Sequence, residues 1–244
     1  MIKIKLGKWL GGGLGWALGG PIGAILGFAL GSAFDGSSDA EVITGGNTGA
    51  RQVSDFAASL LVLSAAVMKS DGKILKSELE FVKKFFISQF GEVNAQQHIL
   101  MLKEIVKQDI PLQQVCMQIK QFMPHASRLQ IIHYLFGISI ADGHVDENEL
   151  QTIQTIANYL GVNSADFTSI KAMYFKNINS DYEILEITSA ASDDELKKAY
   201  RKMAVKFHPD KVASLGEEVQ KAANEKFQQV QNAFENIKKQ RGMA

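Results

Sequence analysis

Residues 195–211 read ELKKAYRKMAVKFHPDK, and this stretch decides the fold of the C-terminal part of the chain. Its apolar side chains recur at helical spacing, which predicts an amphipathic helix with one buried stripe. Pro209 disfavours helical backbone at His208, so the helix should end at His208-Pro209-Asp210, here called the HPD tip. The predicted buried stripe consists of Leu196, Ala199, Tyr200, Met203, Ala204 and Phe207. The opposite side, here called the basic face, carries Lys197, Lys198, Arg201, Lys202 and Lys206.

The sequence on either side of this stretch predicts a helical hairpin. Residues 181–185 favour a short helical turn, and Ser192-Asp193-Asp194-Glu195 forms a capping box that should start the helix. A second long helix is predicted from about Glu217 to Lys239. Its apolar stripe consists of Phe227, Val230, Phe234 and Ile237. If the two stripes pack antiparallel, the HPD tip lies exposed at the turn of the hairpin.

These segments resemble the J domain of DnaJ-type co-chaperones, in the same order and over nearly its whole length. The resemblance is carried by DYEIL at 181–185, ELKKAYRKMAVKFHPDK at 195–211 and EKFQQVQNAFENI at 225–237. It implies docking onto an ATP-bound Hsp70-type (DnaK-type) chaperone through the HPD tip and the basic face, and stimulation of that partner's ATPase. The hydrolytic site would lie in the partner, so the chain itself is not expected to be an enzyme.

Other interpretations of the same residues predict different functions. A basic helix face is usually solvated, and lysine-rich helices also bind nucleic acid. His208 with Asp210 resembles a catalytic pair, but the motif places no nucleophile beside them. Glycine/phenylalanine-rich and zinc-finger segments are missing from the sequence, so the usual DnaJ route to client binding is not supported.

Composition limits the remaining choices. The chain has 244 residues, 46% hydrophobic and 21% charged, which is typical of a globular protein. Its 26 basic residues balance 26 acidic ones, so no nucleic-acid partner is expected. A single cysteine, Cys116, excludes an internal disulfide, fits a reducing compartment and should be a small core residue.

The middle of the chain predicts an all-α domain over residues 51–175. Pro111 suits the start of a helix, Asp146 with Glu149 suggests a capped start, and Gly161 suggests a helix end. The predicted helices span 53–68, 78–90, 95–106, 111–123, 127–140, 147–160 and 164–174. No long stretch alternates with period two, so no strand is expected.

An internal repeat runs through this domain. MKSDGKILKSELEFVKKFF at 68–86 matches SIADGHVDENELQTIQTIA at 139–157, with an Asp-Gly turn, a β-branched residue and an acidic helix start in each. Ile74 of the first copy corresponds to Val145 of the second. Two helix hairpins related in this way would pack into one bundle.

The doubled motif resembles the TerB-like domain, an all-α family associated with tellurite resistance. The resemblance implies a divalent metal held by Asp71, Glu78, Asp142 and Glu149, since carboxylates suit hard cations. The alternative is structural, with the two aspartates shaping turns and Glu149 capping a helix. The twelve-residue loop of an EF-hand is missing, and His98, His125, His133 and His144 show no ligand spacing.

The N-terminal segment predicts a membrane anchor. No residue from Trp9 to Phe34 is charged, and a bilayer needs about 20 apolar residues as a helix. A stripe of small residues would let another helix approach closely, which favours homo-oligomers. The stripe consists of Gly11, Gly15, Gly19, Gly23, Gly27 and Gly31. Pro21 predicts a kink or a short re-entrant hairpin. A signal peptide and a soluble glycine-rich arm remain as alternatives.

The order of these parts resembles the DjlA-type membrane-anchored co-chaperones. The predicted parts are an anchor at 1–34, a linker at 35–50, the TerB-like domain at 51–175 and the J domain at 180–244. This resemblance implies Hsp70 recruitment at the bacterial inner membrane, with the TerB-like and J domains in the cytoplasm. The flanking charges disagree with this cytoplasmic orientation. Positive charges usually stay on the cytoplasmic side, yet Lys3, Lys5 and Lys8 precede the apolar run while Asp35, Asp39 and Glu41 follow it. A metal-binding stress-response protein with an accessory J domain is the rival function.

Overall fold

The protein, described by a computed structural model over residues 6–33, 48–144 and 146–243, is built from helices, with no strand in these ranges. Most of the predicted linker, the charged residues flanking the anchor other than Lys8, and Val145 lie outside the described residues. The helices are α1 Leu6–Ala33, α2 Thr48–Met68, α3 Lys76–Phe90, α4 Glu92–Ile105, α5 Leu112–Phe122, α6 His125–Ser139, α7 Glu147–Leu160, α8 Ser164–Tyr174, α9 Ser180–Ile184, α10 Asp193–Lys206 and α11 Glu217–Arg241, with a 3₁₀ helix at Pro209–Leu215.

Local hydrogen bonds explain where the middle helices begin and end. The side chain of Asp146 accepts from the backbone N–H of Asn148 at 2.7 Å, and Asn163 caps α8 by accepting from Asp166 N–H at 2.9 Å. Gly161 ends α7 with a φ of 69°, in the left-handed region that glycine adopts without strain. These ends agree with the sequence prediction, while several helices begin a few residues earlier than the apolar pattern does.

The core of the TerB-like domain surrounds α6. Every residue of this helix from Leu129 to Ser139 is buried, because α2, α3, α7 and α8 pack on different sides of it. Cys116 is fully buried in the same core, as predicted, and burial raises the pKa of its thiol to about 12. A helix that is buried all round, such as α6, needs neighbours on every side.

The N-terminal helix α1 is broken into two antiparallel halves. The backbone at Gly20 leaves the helical region, with φ 60° and ψ −152°, immediately before Pro21. A Cβ on Gly15 would lie 2.0 Å from the carbonyl oxygen of Gly23, so the two halves touch where both residues are glycine. The glycine stripe thus makes a contact within the chain, and the break lies where Pro21 predicts it.

The second half of α1 packs on the TerB-like domain. Ile22, Ile25 and Ala29 are buried there. The Gln118 side chain satisfies the broken backbone, since it accepts from Ile22 N–H at 3.0 Å and donates to the Gly19 carbonyl at 2.7 Å. Within the described ranges, no helix combines the length and the mean hydropathy needed to cross a bilayer.

The C-terminal part forms the predicted helical hairpin. Helices α10 and α11 pack together, with the rings of Tyr200 and Phe234 stacked at 4.3 Å. Arg241 near the end of α11 donates to the Ala191 carbonyl at 2.7 Å and to Asp193 Oδ1 at 3.1 Å. These contacts fix the far end of the hairpin and leave the HPD tip at the other end.

Candidate functional site: the HPD tip and the basic face

The capping box fixes where α10 begins, and this start determines which side of the helix carries the basic face. Glu195 Oε2 accepts from the Ser192 backbone N–H at 2.7 Å, and Ser192 Oγ accepts from Glu195 N–H at 3.3 Å. From this start, Leu196, Ala199 and Met203 turn inward and are buried. The lysines and the arginine between them therefore point outward on the opposite side of the helix.

The HPD tip follows directly from the end of α10. Residue His208 has φ −61° and ψ 129°, the extended conformation that a residue before proline prefers. Its Nδ1 accepts from the Asp210 backbone N–H at 3.3 Å, and its ring lies edge to face with Phe227 at 5.8 Å. The side chains of His208 and Asp210 are 48% and 79% exposed, so the tip is ordered locally and still open to a partner.

A shallow apolar pocket of about 290 Å³ lies beside the tip. It is lined by Ala204, Val205, His208, Lys211 and Phe227, and Val205 is 62% exposed. An apolar depression next to a charged face is typical of a protein-docking surface, where a buried centre is surrounded by a polar rim.

The basic face is not uniform in the folded chain. Lys197, Lys198, Arg201 and Lys202 are exposed, and Pro209 at the tip is half-buried. Lys206 differs, because only 16% of its side chain is exposed and its Nζ lies between the carboxylates of Asp166 and Glu186. Seven of the eight predicted docking residues therefore remain accessible, although Lys202 pairs with Glu186 at 2.7 Å, and Lys206 is enclosed within the chain.

The four acidic residues of the repeat fall into two groups. Asp71 and Asp142 shape turns, accepting from the backbone N–H of Lys73 and His144, each at 2.8 Å. Glu78 and Glu149 are 2% and 4% exposed and hydrogen-bond to each other, forming what we call the acidic pair. The interpretation of Glu149 as a helix cap is wrong, because Asp146 caps α7 at Asn148 and Glu149 instead points toward α3.

Within the acidic pair, Glu149 holds its proton more tightly than an ordinary carboxyl group does. Burial, the hydrogen bond to Glu78 and the nearby charges of Glu78, Asp71 and Asp146 raise the pKa of Glu149 to about 9. A protonated Glu149 then donates to Glu78, whose Oε2 also accepts from the Leu75 N–H at 2.9 Å. Among the described residues, no cluster of three or more His, Cys, Asp or Glu side chains is arranged to hold a metal.

Sequence reasoning missed the contacts that the fold gives to two histidines. His125 Nε2 lies 3.0 Å from Asp166 Oδ2, and His133 is enclosed between Tyr174 and Phe207. Burial holds the pKa of His133 well below its ordinary value, with the charge of Lys226 adding to the effect. No spacing along the chain indicates these contacts, since their members are about 40 or more residues apart.

Three family models match the chain in succession. The model described as the co-chaperone DjlA transmembrane domain matches residues 5–50, that of tellurite resistance protein TerB matches residues 57–172, and the DnaJ domain matches residues 180–242. Only short stretches lie between the three ranges. The predicted combination of an N-terminal membrane-domain region, a TerB-like bundle and a J domain is therefore confirmed.

Several curated proteins named Co-chaperone protein DjlA are similar to this chain over most of their length. The Vibrio cholerae protein is 26% identical over 236 residues, covering 81% of this chain and 82% of that protein. The Photobacterium profundum protein is 27% identical, over 80% of this chain and 81% of that protein. The Coxiella burnetii protein is 26% identical, over 72% of this chain and 74% of that protein. No solved structure matches the chain.

Proposed function

We propose that this chain, which belongs to the DjlA-type co-chaperones by its three matched domains and their order, recruits an Hsp70-type chaperone of the DnaK kind at a membrane and stimulates its ATPase. The observation that carries the proposal is the exposed HPD tip at the end of the basic face. Co-chaperone activity follows from the DnaJ domain and the relatives' names, and the docking residues are our assignment.

Electrostatics would bring the partner to the tip. Four exposed cations on one side of α10 attract an acidic surface, which speeds association more than it tightens the final complex. His208 and Asp210 then contact the partner, and the apolar pocket beside them excludes water from the contact. The partner hydrolyses ATP, and this chain acts by favouring the partner's hydrolysing conformation.

The proposed location is the bacterial inner membrane, with lipid as a second partner and the folded domains in the cytoplasm. The match of residues 5–50 to a transmembrane-domain model supports anchoring, and the need for an ATP-supplied partner supports the cytoplasmic side. Homo-oligomers through the glycine stripe stay a prediction, since Gly15 packs against Gly23 of the same chain. A reporter enzyme that works only outside the cytoplasm can be fused after Ala244. Activity of this fusion would contradict the cytoplasmic location of the J domain.

Charge reversal on the basic face tests the docking assignment. We expect Lys197→Glu with Arg201→Glu to slow association with ATP-bound Hsp70 by about tenfold or more at low salt, because both cations are exposed on the face that meets the partner. The difference should shrink as salt screens the charges. Stopped-flow association of the full chain in detergent would measure it.

A matched control carries the same change in net charge on the other long helix. Lys221→Glu with Lys239→Glu alters two exposed lysines of α11, away from the basic face. Equal slowing in both double variants would mean that overall charge, and not the basic face, steers the association. No slowing in either would remove the basic face from the docking surface.

A second candidate function is binding of a divalent cation at the acidic pair. The favouring observation is that Glu78 and Glu149, one from each copy of the repeat, meet in a buried position. A divalent cation would displace the proton of the acidic pair and bind the two ionised carboxylates directly, although the two aspartates are committed to turns. This would support the rival metal-linked stress function.

The Glu149→Gln variant should melt at a higher temperature than the wild type at pH 8 in EDTA, by at least about 3 °C. Glu149 has a pKa of about 9 in the folded state and about 4.5 in the unfolded state. Its contribution to the free energy of unfolding is therefore complete below pH 4.5 and is lost as the pH rises toward 9, so an uncharged glutamine is more stable at pH 8. The gain should vanish near pH 4.5, and Glu147→Gln on the exposed side of α7 should show none. A cation that binds the pair should raise melting of the wild type only, and no response to calcium, magnesium or zinc would reject the site.

A further inference from the structure

The J domain packs against the TerB-like domain on the side next to the HPD tip. Phe207 is 2% exposed, and its ring lies edge to face with that of His133 in α6 at 5.6 Å. Gln89 of α3 donates to the Leu215 carbonyl at 3.0 Å, in the 3₁₀ helix that follows the tip. Lys226 Nζ lies 4.4 Å from the centre of the Tyr174 ring. The two domains therefore bury part of the surface around the tip against each other.

Lys206 is held inside this interface by two carboxylates, here called the acidic clamp. Asp166 belongs to α8 of the TerB-like domain, and Glu186 lies between α9 and α10 of the J domain. Their side chains are 1% and 5% exposed. Although burial opposes ionisation, hydrogen bonds from His125 and Lys206 hold the pKa of Asp166 well below its usual range. The clamp is thus charged, buried and shared between the two domains.

The backbone conformation of Glu186 is a second observation that supports a specific contact between the clamp and its lysines. Glu186 has a φ of 56°, the only positive φ at a residue other than glycine in the described ranges. It follows α9, at a position where glycine or asparagine usually ends a helix. A glutamate is strained there, and the strain is offset by the ion pairs of its carboxylate with Lys202, at 2.7 Å, and with Lys206.

We propose that the TerB-like domain restrains the J domain, because Asp166 completes the acidic clamp and with Glu186 holds Lys206 away from the Hsp70 partner until the two domains separate. This inference rests on the proposed function, in which Lys206 belongs to the docking face. One ammonium group cannot pair fully with the clamp and with an acidic partner surface at once, so the two compete. Binding of the partner is thereby coupled to opening of the interface. Since the HPD tip stays exposed, the restraint lowers partner affinity and leaves the maximal stimulation unchanged.

The test weakens the clamp from the TerB side. Asp166→Asn keeps the shape of the side chain and removes its charge, without altering any residue of the docking face. In a single-turnover Hsp70 ATPase assay with the full chain in detergent, the concentration needed for half-maximal stimulation should fall roughly fivefold or more, with the maximum unchanged. Asp109→Asn, an exposed acid of the same domain, should leave both values unchanged.

A second variant covers the case in which Asp166→Asn disturbs folding. Glu186→Gly removes the other carboxylate and relieves the backbone strain, so it should stay folded by circular dichroism and show the same fall. An unchanged or higher half-maximal concentration in folded Glu186→Gly would overturn the restraint. No stimulation by the wild-type chain would instead reject the proposed function itself. Stimulation by the wild type with no shift in either variant rejects only the clamp.

Discussion

His208→Gln is expected to abolish stimulation of the Hsp70 ATPase, lowering it at least about tenfold, toward the unstimulated rate. Glutamine can still form hydrogen bonds, but it lacks the ring that packs edge to face with Phe227 at 5.8 Å. It also lacks the Nδ1 acceptor that holds the Asp210 N–H at 3.3 Å. Single-turnover hydrolysis and an ATP-dependent pull-down of Hsp70 would measure the loss.

The loss should come from the contact surface and not from the fold. About half of the His208 side chain is exposed, so the melting temperature should hardly change. His144→Gln is the matched control, since His144 is exposed in the second Asp-Gly turn, where it contributes its backbone N–H to Asp142. If His208→Gln kept full stimulation and pull-down, the co-chaperone mechanism proposed for the tip would be wrong. A phenotype confined to survival under metal stress would then favour the rival function.

Phe136→Ala is expected to cost about 3–5 kcal/mol of the free energy of unfolding. Phe136 is fully buried in α6, with its ring stacked on Tyr174 at 5.4 Å and tilted against Phe167 at 5.5 Å. Removing it leaves a cavity that four surrounding helices cannot fill by moving together. Chemical denaturation followed by circular dichroism would measure the change.

The control for this cavity is Leu100→Ala on α4, whose side chain is 49% exposed. It should change the stability by less than about 0.5 kcal/mol. A loss below about 1 kcal/mol for Phe136→Ala would mean that α6 is not the centre of a tightly packed core. Because the HPD tip lies on another domain, stimulation at a temperature where Phe136→Ala remains folded should be preserved.

Much of the fold could be predicted because the deciding interactions are local. Ser192 with Glu195, Asn163 with Asp166 and Asp146 with Asn148 are caps formed within two or three residues of each other. Periodicity then assigns the buried side of each amphipathic helix. The same local reasoning failed at Glu149, because the pattern of a capping box is satisfied equally well by a glutamate that turns inward to meet another element.

The HPD tip was determined by the sequence itself, since Pro209 ends α10 and the alternation of apolar and basic residues orients its face. Only the tertiary structure decided that Lys206 is withdrawn from that face by Asp166, and that Glu78 meets Glu149 across the repeat. The physical reason is the separation along the chain between the interacting residues. A cap or a stripe depends on neighbours a few residues away, whereas a buried ion pair or carboxyl pair depends on how whole helices pack, and no spacing along the chain encodes that arrangement directly.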